Sequence, residues 1–229
     1  MSYPARIIGM LSFAVAPSIW GSVAHAADTI RYISITGNNA APCTLAAPCR
    51  TLQRGINTTP VGGELRILDS GSFGTNATVN RSMTITGNGN TVLLNTPLTI
   101  NAEGAVVALR GLTLDGQGTT TDGISVPVAA TVHIEDCVVH GFSDDRIVVA
   151  GADARALIVD STLRDNGDVG LLVGNASTVR ISRSTVTRNA RGMCRSAQSR
   201  RVKTISSGTI RPTSARARSR RLTSCSLSK

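Results

Sequence analysis

Through the middle of the chain, apolar and polar side chains alternate in short runs that stop at Gly, Asn or Asp. The runs "GELRIL", "SMTIT", "PLTIN", "TVHIED", "RALIVD" and "TVRIS" all have this form. Alternation on this scale is strand chemistry, because successive side chains point to opposite faces of a pleated backbone.

The runs also recur at a nearly fixed interval. In "TVHIEDCVVHG", "RALIVDSTLRDNG" and "TVRISRSTVTRNA" the residues Ile134, Ile158 and Ile181 are equivalent, 24 and 23 positions apart. Three residues after each comes a small side chain, Cys137, Ser161 or Ser184, and two further on another aliphatic, Val139, Leu163 or Val186. Leu109, Leu112 and Leu114 keep the same spacing one unit earlier, and a further strand recurs as "GISV", "RIVV" and "GLLV". A sandwich or barrel has many strands but no equivalent residues at a constant long interval, and the Leu/Asn consensus of leucine-rich repeats is missing. The pattern predicts an all-β chain folded as a right-handed parallel β-helix over residues 64–192. About five or six rungs at ~4.8 Å make a rod of roughly 25 Å.

An open solenoid end exposes both its core and an unpaired strand edge, so a cover is expected. "PCRTLQRGINTTPVGG" supplies one, with Leu52 and Ile56 on one helical face and Pro60 with two glycines to end it. Residues 27–63 therefore read as an incoming strand, "RYISITG", a loop and a short capping helix.

The order "YISITGNNAAPCTLAAPCRTLQRGI", "GGELRILDSGSFG" and then "STVTRNARG"-type units resembles the exported bacterial right-handed β-helix repeat proteins of the pectate-lyase-like superfamily. The resemblance covers roughly residues 30 to 192. It implies the fold, and it leaves activity open among lyases, glycoside hydrolases, esterases, tailspikes and non-catalytic surface proteins.

Composition sharpens this picture at the two ends. Arg6, the apolar run "IIGMLSFAVAPSIW" and then "GSVAHAA" predict a signal peptide over residues 1–26, cleaved before Ala27. No later segment approaches the roughly 20 apolar residues of a spanning helix. The chain is expected to be secreted, periplasmic or on the cell surface, where Cys43 and Cys49 would close a disulfide ring across "CTLAAPC". Cys137 falls within a strand pattern and reads as a small buried hydrophobe, while Cys194 and Cys225 receive no role. The net charge of +10 belongs to the far end. Residues 27–190 carry 12 Arg, no Lys and 14 Asp and Glu, whereas residues 191–229 carry 11 Lys and Arg and no acid. Residues 193–229 therefore read as a basic tail, disordered or aberrant, and the abrupt change near residue 192 has the character of a reading-frame shift. Against that, Ile205 lies 24 after Ile181 and Ile210 follows at the expected offset, as one more ragged rung would require.

Candidate chemistry sits at the corners. Asp122 and Asp145 stand two residues before Ile124 and Ile147, and Asp144 and Asp168 stand three before Ile147 and Leu171. These carboxylates should stack on neighbouring rungs, with Arg146 where other rungs have Gly123, Gly170 and Gly192. Such a ladder could ligate Ca²⁺ beside an arginine that meets an acidic sugar, or act as the acid pair of a glycoside hydrolase. Asp is also a preferred turn residue, so corners alone do not require a site. His133 and His140 are expected to be exposed. The segment after the signal has Tyr32, Phe73 and Phe142 as its aromatics. That is thin for a carbohydrate cleft and does not suit single-stranded nucleic acid. The reading is a binding or scaffolding β-helix directed to polysaccharide, with a lyase or glycoside hydrolase as the alternative and polyanion binding by the tail as a second.

Overall fold

The computed structural model describes residues 29–196 apart from 76, 119–121, 146 and 175, together with 210–211 and 223–225. The expected signal peptide and most of the basic tail lie outside the described residues. The first face of the fold is a seven-stranded, all-parallel sheet. It stacks β1 (Ile30–Ile33), β2 (Glu64–Ile67), β5 (Met83–Thr86), β8 (Val106–Arg110), β11 (Thr131–Glu135), β14 (Arg155–Val159) and β16 (Thr178–Ser182). Its neighbours are one coil apart in sequence rather than adjacent, which is the connectivity of a parallel β-helix.

The other two faces form one bent sheet. Its second face holds β3 (Gly71–Ser72), β6 (Thr91–Leu93), β9 (Thr113–Asp115) and β12 (Val138–His140). Its third holds β4 (Ala77–Val79), β7 (Leu98–Ile100), β10 (Ile124–Val126) and β13 (Ile147–Val149). In the last two coils these faces merge into single long strands, β15 (Thr162–Val173) and β17 (Thr185–Ser196), with a register shift between Asn166 and Val169. The sequence pattern predicts a separate strand at "GLLV" there. The hydrogen-bond ladder runs on around this corner, which turns on left-handed Asp165, because buried Asn166 accepts the Phe142 N–H at 2.5 Å while its amide meets the Val139 carbonyl. Beyond β17, Val186 pairs with Ile210 of β18 (Ile210–Arg211), and Cys194 with Thr223 of β19 (Thr223–Cys225).

The core is a set of columns. Leu65, Ile85, Leu109, Ile134, Ile158 and Ile181 stand in register across the first face and are essentially fully buried. Val92, Leu114, Val139, Leu163 and Val186 form the matching column of the second face. The small residues at the corner form a third column that is polar. The Cys137 N–H donates to Ser161 Oγ at 3.1 Å, and the Ser161 N–H to Ser184 Oγ at 3.1 Å. Each serine thus satisfies a backbone donor of the coil beside it that the sharp turn would otherwise leave buried and unpaired. The turn itself needs left-handed backbone, adopted by Gly111, Asp136, Asp160 and Arg183 in successive coils.

The cap forms as the sequence pattern predicts. Helix α1 (Leu52–Thr58) begins at Thr51, whose hydroxyl accepts the Arg54 N–H. Leu52 and Ile56 are buried against the core end. Gly55 is required by contact, because a Cβ there would lie 2.7 Å from Ile33 and Leu65 side-chain atoms. Cys43 and Cys49 form the expected disulfide. Their loop does more than anchor the helix. It closes the free edge of β1, with the Tyr32 N–H donating to the Cys43 carbonyl at 2.9 Å and the Cys49 N–H to the Tyr32 carbonyl at 3.0 Å. Among the described residues, no helix is long and apolar enough to cross a membrane.

Candidate functional site

The corner between the second and third faces collects the acids. Ile124 pairs with Ile147, so Asp122 lies over Asp145, and the Gly123 N–H donates to the Asp145 carbonyl at 3.1 Å. The Asp168 N–H donates to the Asp144 carbonyl at 3.2 Å, which stacks the second pair. One carboxylate oxygen from each of Asp144, Asp145 and Asp168 lies within 4.8 Å of the others, a separation at which the three could hold one cation. Asp122 stands one coil away. Arg146, the fifth residue expected here, lies outside the described residues.

The acids differ in environment. Asp145 is 8% exposed and its Oδ1 accepts the Val169 N–H at 3.2 Å. Burial first, and the Asp144 carboxylate next, push its pKa up to about 6. Asp122 is raised for the same two reasons. Asp144 is exposed, and Asp168 is held by Arg191, with Nε 2.8 Å from Oδ1 and Nη2 3.0 Å from Oδ2. That partner follows Asp168 by 23 residues, the interval of the repeat, and sequence reasoning passed it over.

Arg191 is one of three such locks. Arg183 pairs with Asp160 at 2.7 Å, and Arg188 binds Asp165 through two nitrogens. Arg188, with Arg164 helping, holds the Asp165 carboxyl well below the usual carboxylate range. Each pair joins the β15 coil to the β17 coil, so charge tightens the rod where its corners meet.

The outer side of the first face carries a second candidate that sequence reasoning passed over. Tyr32, Arg66, Thr86, Arg110 and Glu135 are consecutive in register, one per coil, along a line parallel to the rod. Arg66 reaches Glu64 at 3.0 Å, and Thr86 donates to the other Glu64 oxygen at 2.7 Å. Glu64 is lowered in consequence, by Arg66 foremost. Arg110 binds Glu135 at 2.9 Å, with His133 Nδ1 3.8 Å away on the other side of that carboxylate. An open hollow bounded by Thr86, Asn88, Arg110, Glu135 and Asp136 adjoins the line. The only advance signal was an arginine at outward positions 66 and 110. The histidines are less exposed than expected: both side chains are partly covered, and His140 lies 3.8 Å from Asp115.

These features define a capped parallel β-helix rod with charged corners. The family model for the right-handed β-helix region matches residues 98–215, more than half of the chain. The chain belongs to that family. No curated protein and no solved structure matches it.

Proposed function

We propose that this is an exported β-helix that binds polysaccharide along its outer surface and does not cleave it. The observation that carries the reading is the file Tyr32, Arg66, Thr86, Arg110 and Glu135. It sets hydroxyls and guanidiniums at strand spacing in a straight line, and Arg66 and Arg110 stay half-exposed beside the carboxylates they bind, Glu64 and Glu135, a geometry suited to an extended chain with repeated hydroxyl and carboxylate groups. The corner acids favour binding over hydrolysis. Asp145 is nearly buried on a backbone N–H and Asp168 is occupied by Arg191, so neither is poised over an open cleft.

The line of arginines is tested by affinity electrophoresis through gels containing uronic-acid polymers. Arg66→Ala with Arg110→Ala is expected to weaken retardation at least tenfold while leaving the strand circular dichroism unchanged. Equal retardation of parent and double variant removes this face from the proposal.

A further inference from the structure

The hollow beside the line of outward residues is built by two departures from the repeat. Between the first and second faces, Gly111 and Leu112 join Arg110 to Thr113, and Asp136 and Cys137 join Glu135 to Val138. One coil earlier four residues, 87–90, join Thr86 to Thr91. The extra pair sets exposed Asn88 and Gly89 on a ledge, and the Gly89 N–H fastens it by donating to the Gly111 carbonyl at 2.8 Å. The second departure is Gly111 itself. Its left-handed slot is filled by Asp136, Asp160 and Arg183 in the coils that follow, so glycine leaves the floor beside the ledge without a side chain.

The hollow has a volume of about 320 Å³, at the small end of ligand sites. Arg110 uses Nε on Glu135, and its two Nη groups have no hydrogen-bond partner among the described residues. The same holds for the Asn88 amide and the Asp136 carboxylate, which also line the space. Donors and acceptors are thus gathered around one small opening. Adjacent ring hydroxyls need both, since each hydroxyl donates and accepts. One guanidinium against the carboxylates of Glu135 and Asp136 leaves the hollow net negative, which repels a carboxylate or sulfate group. We propose that it seats one neutral sugar ring through adjacent hydroxyls. Resting on the reading of the outer face as polysaccharide-binding, this requires of the polymer a neutral unit where it passes the ledge.

The full chain is run through gels containing galactomannan, xyloglucan or dextran, all neutral polymers. Retardation by at least one is expected, and Gly111→Asn is expected to weaken it at least tenfold. Asn accepts left-handed backbone, and a Cβ at Gly111 would meet the Asn88 and Gly89 nitrogens at 3.5 and 3.6 Å, ordinary contact. The variant therefore fills the hollow and keeps the fold. Asp136→Gly removes an acceptor from a slot that glycine already fills one coil before, and is expected to weaken retardation at least threefold. Unchanged retardation of either variant overturns the site. The outer line is read separately, in the uronic-acid gels. Retardation of the parent there, with none in the neutral gels, overturns the hollow alone, and retardation in neither overturns both.

Discussion

Asp145 is the residue whose environment makes the sharpest statement. Its folded pKa of about 6 stands above the ordinary 3.8, so the folded state binds the proton more tightly between those values. The stability that this group contributes is therefore fullest below about pH 4 and is lost as pH rises through 6. With solvent screening allowed for, the loss is on the order of 1 kcal/mol. Asp145→Asn keeps an acceptor for the Val169 N–H and removes the titration. It should raise the midpoint of thermal unfolding at pH 7 and have little effect at pH 4. The same gain at both pH values would show that the carboxylate is not the cause. Ser161 makes a simpler case. Ser161→Ala leaves the buried Cys137 N–H without its acceptor and should cost about 1–3 kcal/mol in urea unfolding. The sequence shows a small residue at three of these corners, while Leu112 takes the equivalent place one coil earlier. It does not show that the hydroxyl bonds the next coil, because Cys137 fills the same slot with a thiol.

At the scale of elements, the cap decides how the rod ends. The Cys43–Cys49 loop hydrogen-bonds the edge of β1, while α1 closes the core beneath it. An uncapped parallel edge is a template for another strand. Replacing both cysteines by serine should lower stability by about 2 kcal/mol on chain-entropy grounds, with the exposed edge promoting concentration-dependent self-association. Light scattering of the variant against the parent reads this directly, and a monodisperse monomer at all concentrations would contradict it. The helix and the disulfide were legible because Leu52, Ile56 and the two cysteines sit at informative spacings. That the loop also acts as a terminal strand was not, since backbone hydrogen bonds leave no mark on side-chain pattern. The merger of the second and third faces in β15 and β17 escaped notice for a related reason. Asn166 and Asn189 look like turn residues, and only their burial shows that they bridge coils at a corner around which the ladder continues.

For the whole molecule, the interval between Ile134, Ile158 and Ile181 carried the architecture, because stacking coils must place equivalent side chains in one column. The corner acids were legible for the same reason, being counted from those columns. Outward positions obey no such constraint. Arg66, Thr86 and Arg110 form a line without any repeat in sequence, so the face proposed to bind became visible only once the register was known. The proposal that this rod binds polysaccharide without cutting it is tested most directly by one experiment. The full chain is incubated with a panel of acidic and neutral polymers, with and without Ca²⁺. Complex formation and polymer length are then followed together by size-exclusion chromatography with light scattering. Co-elution with at least one polymer of unchanged length is expected. Shortening of a polymer, abolished by Asp144→Ala with Asp145→Ala, would contradict the account, and so would co-elution with none.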